Sequence, residues 1–323
     1  MQKRIIYQNE SGQRLDKYLV KYLNKATKSF IYKMLRKKNI TLNGKKANGS
    51  EQINAGDEIT LWLSDETINK FNQVEVTVHD YKLEILYEDA HILLINKASG
   101  VLSQKASDKD ISLNEEIVSY LIDSNQLSYQ DLETFRPSVL NRLDRNTSGI
   151  IAAGKTLAGS QALSRLLRER GISKYYRCIV KGCISKPEKA CGFLEKDALT
   201  NTVSVHKAAK SNGAYIETWY EPVTSNGKYT LLNIRLITGK SHQIRAHLAS
   251  IGFPIVGDHK YGDAQINKYF LKKYHLKHQL LHSYRIEFPE LDGVLKALSG
   301  QVFIAGLPKK FIDIMNDQGI EGN

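Results

Sequence analysis

Cysteine is scarce in this sequence: Cys178, Cys183 and Cys191 are three in 323 residues, with no C-x-x-C pair among them. That argues against a disulfide framework or a cysteine-rich zinc site and leaves reduced structural thiols. Long apolar runs are also missing, since none approaches the roughly 18 residues that cross a bilayer. The opening stretch "MQKRIIYQNE" has no apolar core of a secretory signal. These absences predict a cytoplasmic protein with no membrane partner. The nine histidines lack ligand spacing. His242 and His247, five apart, fall on different faces of a helix, no H-E-x-x-H occurs, and His275 and His278 read as a solvated surface pair. No metal is expected. Neither a solenoid-period repeat nor a low-complexity tract is present.

What the chain does have is an ordinary globular balance, 41% hydrophobic and 25% charged, with length enough for one small and one large domain. Its net charge of +12 is concentrated: between Ser11 and Lys46 stand eleven Lys and Arg against one acid, Asp16, a net charge of +10. A basic module on a nearly neutral body points to a polyanion, nucleic acid ahead of an anionic membrane, with a merely solvated helix face as the plain alternative.

Within that module "RLDKYLVKYL" repeats Leu15, Leu19 and Leu23 every four residues, which predicts an amphipathic helix. "SFIYKMLRKKN" predicts a second, capped by Ser29 and ending in Arg36, Lys37 and Lys38. "ITLNGKKA" reads as a hairpin around Asn43-Gly44, and "NAGDEITLWL" turns into a strand. Ser64 to Asp80 is polar and reads as a linker. Beyond it, strand-like runs recur at "LEILYEDAHILLINKASG", "GIIAAG", "KYYRCIVKG", "YTLLNIRLITG" and "YRIEF", and a helix at "TLAGSQALSRLLRERG". Strands outnumber helices without regular βαβ alternation, so the fold class expected is α+β with a mixed, largely antiparallel sheet.

Two readings compete for the centre of the chain. "GIIAAGKT", Gly149 to Thr156, matches the G-x-x-x-x-G-K-[ST] pattern of a phosphate-binding P-loop, which would make the protein an NTPase. The residues before Gly149 are polar and turn-like, however, and adjacent Ile150 and Ile151 favour an extended buried strand over a loop curled round phosphate. The other reading rests on "NRLDRNTSG" just upstream. Asp144 stands between Arg142 and Arg145, and adjacent cations favour the ionised carboxylate that a nucleophile or base needs. A polar turn is its plain alternative.

The first basic segment, through "RLDKYL", "RKKNITLNGK" and "AGDEI", resembles the S4 RNA-binding domain over about residues 12–65. "NRLDRNTSG", "SKYYRCIVKG" and "TGKSHQIRAHLASIGFPIVGDHKYG" resemble, in order and spacing, the RluA-type RNA pseudouridine synthases over about residues 81–312. The resemblance implies a pseudouridine synthase fold behind a small S4 domain, with residues 1–70 binding RNA, 71–80 linking and 81–323 carrying catalysis. It implies an isomerase that converts uridine to pseudouridine, most naturally in 23S ribosomal RNA, as a monomer without cofactor, metal or nucleotide. The family's catalytic aspartate falls on Asp144, its tyrosine beside the target base on Tyr176, and its paired basic residue on Arg245. Arg14, Lys17, Lys28, Lys33, Arg36, Lys37 and Lys38 become RNA contacts, and Arg142 would fill the space of a flipped nucleotide or hold phosphate. By strand alternation Tyr175 and Tyr176 face opposite sides, so one of them reaches the site. Three positions depart from the family pattern: Asn141 stands for a histidine, Lys240-Ser241 for Arg-Thr, and Ala98 for a proline. A non-catalytic RNA-binding or ribosome-assembly factor is the remaining alternative.

Overall fold

A computed structural model describes residues 1–197, 200, 202–208 and 213–320. The N-terminal part assembles the two amphipathic helices on a small sheet. Helices α1 (Leu15–Tyr22) and α2 (Lys28–Arg36) bury Leu15, Tyr18, Leu19, Tyr22, Ile31, Met34 and Leu35. Against them lies a sheet of β1 (Gln2–Ile5), β3 (Ile40–Leu42), β4 (Lys45–Lys46) and β6 (Glu58–Leu61), in order β1-β6-β3-β4. The short strands β2 (Gln13–Arg14) and β5 (Gln52–Ile53) pair beside it. Asn43 and Gly44 both adopt positive φ, the geometry of a two-residue hairpin turn.

Two expectations need correction here. The cap of α2 is Thr27, whose hydroxyl accepts from the Phe30 N–H at 3.2 Å, and Ser29 lies inside the helix. The stretch read as linker begins with helix α3 (Asp65–Phe71), capped by Ser64. Its few apolar residues suffice because Ile68 is buried and the Phe71 ring lies 4.7 Å from that of Phe30.

The remainder is built on an eleven-stranded sheet among the described residues. Its strands are β7 (Ile85–Glu88), β8 (Ile92–Lys97), β9 (Ser138–Val139), β10 (Ser148–Gly154), β11 (Ser173–Lys181), β12 (Glu188–Asp197), β13 (Thr202–His206), β14 (Ala214–Ser225), β15 (Tyr229–Leu236), β16 (Leu281–Glu287) and β17 (Val302–Ile304). The main path runs β13-β12-β14-β15-β11-β16-β10-β8-β7, with β9 on β10 and β17 on β16. Among these pairings β10 with β16 is parallel and the rest are antiparallel, as the α+β reading requires. Helices α4 (Leu113–Asp123), α5 (Leu157–Arg168), α6 (Gln243–Ser250), α7 (Ala264–Tyr274) and α8 (Lys309–Gln318) flank the sheet. Two-residue alternation along β10 serves both faces: Ile151 and Ala153 enter one core, Ile150 and Ala152 the other.

That strand disposes of the P-loop. All of Ser148–Gly154 is buried sheet. Its glycines answer to packing: a Cβ on Gly149 would stand 2.2 Å from the Ser283 carbonyl oxygen, and one on Gly154 would run into Ser160. Lys155 turns into the protein, where its ammonium donates at 2.6 Å to Glu88, to the Asp89 carbonyl and to Gln126. No helix among the described residues is long and apolar enough to cross a membrane.

Candidate active site

Three distant segments meet over the middle of the large sheet. Asp144 lies in the turn between β9 and β10, Tyr176 on β11, and Arg245 on α6. They line one cleft of about 860 Å³ together with Arg142, Lys174, Lys240, His242 and Lys260. A cavity of that size accommodates a nucleotide.

The Asp144 turn is fixed from beneath by residues 97–103. Leu143 is gripped by the buried Ser103 hydroxyl, which donates to its carbonyl at 2.8 Å and accepts from its N–H at 3.2 Å. Lys97, 1% exposed, donates from its ammonium to the carbonyls of Ala98, Val101 and Arg145 at 2.8, 2.9 and 3.1 Å. Burial pushes that ammonium down to about 8, with the Asp144 and Glu116 charges opposing the shift. Ser99 donates to the Asn146 carbonyl, and the Gly100 N–H to that of Arg145. Asn141, standing where the family pattern has histidine, straps the turn to β10: its amide oxygen accepts from the Ala152 N–H at 2.7 Å and its nitrogen donates to the Ile150 carbonyl.

Arg245 is held between two carboxylates. Its Nε and one terminal nitrogen form a two-pronged pair with Asp258 at 2.7 and 2.9 Å, and the other terminal nitrogen donates to Asp144 at 2.7 Å. Asp258 is fully buried and also accepts backbone N–H groups of Lys260 and Tyr261. Burial alone would raise its carboxyl, but Arg245 holds it below the ordinary range. Burial would likewise lower the guanidinium, and the two carboxylates hold it above its usual value. Charge assistance of this kind makes short, directional bonds, so Arg245 fixes the direction in which Asp144 presents its oxygens.

The start of α6 is built to aim that arginine. Gln243, 2% exposed, accepts from Thr238 and the Lys240 N–H and donates to the Glu217 carbonyl and Thr218. His242 caps the helix at φ +54°, with its Nδ1 2.9 Å from the Tyr261 hydroxyl and its Nε2 3.9 Å from Asp144. Burial lowers the imidazole; Asp144 opposes that and Arg245 adds to it. The Tyr261 ring lies under the Arg245 guanidinium at 5.2 Å.

Of the two tyrosines on β11, Tyr176 lines the cleft, 5% exposed, and burial pushes its phenol up to about 12 with the Asp144 charge adding to the effect. Tyr175 points away and donates to Glu287. Arg142 is exposed at the cleft rim. Asp258, Tyr261, Lys97 and Ser103 carry no signal in the sequence taken alone, and His242 is weighed there only as a metal ligand. Asp258 and His242 sit inside the quoted "TGKSHQIRAHLASIGFPIVGDHKYG", and Lys97 inside "NKASG", so the motifs carried them without disclosing their partners. His242 and His247 are engaged separately, the latter with Thr218. His278 departs from the expected solvated pair: its Nδ1 is buried without a hydrogen-bond partner.

The basic residues of the N-terminal part spread over an outer surface. Arg14, Lys17, Lys28, Lys33, Arg36, Lys37 and Lys38 are all exposed, and of these Arg14 alone forms an ion pair, with Asp16.

The chain is similar to known proteins over most of its length. A family model described as RNA pseudouridylate synthase matches residues 91–250, and an S4 domain model matches 13–59. An uncharacterized RNA pseudouridine synthase of Mycoplasma genitalium is 30% identical over 311 residues, covering 89% of each chain. The ribosomal large subunit pseudouridine synthase C of Vibrio vulnificus is 30% identical over 291 residues, 88% of this chain and 87% of its own. Among solved structures, human RNA pseudouridylate synthase domain containing 4 aligns with a TM-score of 0.58 at 20% identity, over 73% of this chain and 93% of that one.

Proposed function

The chain belongs to the RNA pseudouridylate synthase family, and from that premise we propose that Asp144 acts on the ribose of uridines in large-subunit ribosomal RNA. The protein is an isomerase that turns uridine in RNA into pseudouridine. The observation that carries the assignment of Asp144 is its bond to a guanidinium whose other edge is already committed to Asp258. Arg245 therefore supports the Asp144 carboxylate without depending on it.

In this reading the carboxylate either attacks C1′ or removes the C2′ proton. The N1–C1′ bond breaks and uracil turns within the cleft; C5 then bonds to C1′ as the Asp144–C1′ ester breaks or the C2′ proton returns, the C5 proton leaves and N1 takes up a proton. A paired uridine is unreachable until it is flipped out of its helix, and Arg142 at the rim takes the vacated space or a phosphate. Tyr176 forms a wall beside the base. With its phenol pushed up to about 12 it remains protonated at neutral pH, which favours a packing and donor role over that of a resident base. Residues 1–70 bind RNA and residues 81–323 carry the chemistry, with residues 71–80 between them. The large-subunit target is inferred from the names of relatives such as the Vibrio enzyme. The protein acts in the cytoplasm, as a monomer, with no nucleotide cofactor and no metal.

The test is tritium release from C5-labelled uridine in transcripts of large-subunit ribosomal RNA. Asp144→Asn keeps the side-chain shape and removes the carboxylate, so release should fall to background while RNA affinity stays near wild type. Wild-type activity should persist in EDTA without nucleotide. An active Asp144→Asn protein, free of contaminating synthase, refutes the assignment.

A further inference from the structure

Asp16 is the one acid between Ser11 and Lys46, where an exposed carboxylate would repel the phosphates that its neighbours attract. It is 8% exposed instead, and its two oxygens are occupied. They accept from Arg14 Nε at 3.0 Å, from a terminal nitrogen of Arg14 at 2.9 Å, and from the Tyr32 hydroxyl at 2.8 Å. Burial alone would raise this carboxyl, but the bonds from Tyr32 and Arg14 hold it below its ordinary value. One buried charge thus orients two exposed side chains from different elements, the first just before α1 and the second in the middle of α2.

Both retain a free functional edge. Arg14 has one terminal nitrogen without a hydrogen bond, and its side chain is 47% exposed. Tyr32 is 37% exposed with its hydroxyl tied down, so the ring is presented in a fixed position. Lys28 and Arg36 lie four residues to either side of Tyr32 on α2, one turn below and above it on the same helix face. An anchored aromatic ring flanked by cations is the arrangement that binds a base by its face and its backbone by charge.

We propose that Arg14, Asp16 and Tyr32 form a preformed seat for one unpaired nucleotide of the RNA, the base stacking on Tyr32 and the phosphate meeting Arg14. Asp16 acts as a positioning residue and touches no RNA. The ligand is a single-stranded or looped-out nucleotide, because a duplex keeps its base faces stacked internally. The inference rests on the RNA reading above and adds to it which RNA feature the N-terminal part detects.

The test uses the full chain and two labelled probes, an oligouridine of about 12 nucleotides and a blunt RNA duplex of about 16 base pairs, with binding followed by fluorescence anisotropy at several salt concentrations. Tyr32→Ala should weaken the single strand about ten-fold, leave its salt slope unchanged and alter the duplex less than about two-fold. Tyr32→Phe should keep most of the affinity because the ring remains. Arg14→Gln should lower the salt slope by about one. Asp16→Asn is the discriminating variant: it makes the protein more positive by one charge, so charge alone predicts tighter binding, whereas the seat predicts binding at least about five-fold weaker. Should Asp16→Asn fail to fold, Tyr32→Ala decides, since its side chain is exposed. Tighter binding by folded Asp16→Asn, or equal effects of Tyr32→Ala on both probes, overturns the seat. Wild-type protein that binds neither probe refutes the RNA reading itself.

Discussion

Consider Asp144→Asn and Asp258→Asn as a pair, made on the two carboxylates that share the Arg245 guanidinium. The Asp144 side chain is 26% exposed, and its neutralisation leaves Arg245 with both bonds to Asp258. What remains is a neutral pair where there was a trio of net charge −1, so the unfolding free energy should move by less than about 1 kcal/mol. The Asp258 side chain is 0% exposed and accepts two guanidinium and two backbone donors. Asparagine there offers one oxygen and an amino group, so a buried donor faces a donor and the arginine loses its internal counter-charge. Breaking a buried pair in this way costs about 3–5 kcal/mol. At roughly 2–4 °C per kcal/mol for a domain of this size, the midpoint should fall by about 6–20 °C. The pH dependence has a definite sign. Asp258 sits below its ordinary value of 3.8 when folded, so its contribution is present above that pH and is lost as the pH falls through the folded value. The gap between wild type and Asp258→Asn should therefore narrow in acid. Thermal melting and tritium release, measured on both variants, separate the two roles: Asp144→Asn should melt normally and be inactive, while Asp258→Asn should melt early and keep part of its activity well below its midpoint. If Asp258→Asn melts within about 2 °C of wild type, or Asp144→Asn is the less stable of the two, the division of labour argued here is wrong.

Three further outcomes follow from other parts of the molecule. Lys155→Ala deletes a buried ammonium with three partners and should cost about 2–4 kcal/mol in denaturant unfolding, with tritium release per folded molecule unchanged and indifferent to ATP or GTP. Lys97 has its ammonium lowered to about 8 by burial, so between about pH 8 and its ordinary 10.5 the unfolded chain binds the extra proton and stability rises with pH. Relative to Lys97→Met, wild type should gain about 2 kcal/mol between pH 7.5 and 10, read from paired denaturation curves. Replacing Lys33, Arg36 and Lys37 together by glutamine should reduce the salt slope of RNA binding by as much as about three without changing the melting temperature, since all three are exposed.

Where the sequence carried strong periodicity, the structure follows it. The Leu15, Leu19, Leu23 repeat, the Asn43-Gly44 turn and the "GIIAAG" strand depend on neighbours within a few residues, and local pattern is enough for those. The cap of α2 is not settled by sequence because "TKS" offers two hydroxyls and only the backbone of Phe30 decides between them. Helix α3 leaves no local signal because its two apolar residues stabilise a helix only when α2 is there to receive Phe71. The site follows the same rule. Motif resemblance brings Asp144, Tyr176 and Arg245 forward and the structure gathers them in one cleft, whereas Asp258 and Ser103 are not readable from it. Their work is to hold residues 13 and 40 positions away, and no local pattern reports such a pairing.

The parallel pairing of β10 with β16 also sets a timetable for synthesis. The small N-terminal sheet closes once Leu61 has been made, with all its partners nearby in sequence. The cleft needs β16, which lies between β10 and β11 and begins at Leu281, about 220 residues later. At ribosomal elongation rates of about 5–20 residues per second, that is an interval of roughly 10–45 s. Through that interval the N-terminal sheet has all its strands, while the cleft around Asp144 still lacks β16. The basic N-terminal module is therefore complete as sequence well before the cleft that gathers Asp144, Tyr176 and Arg245.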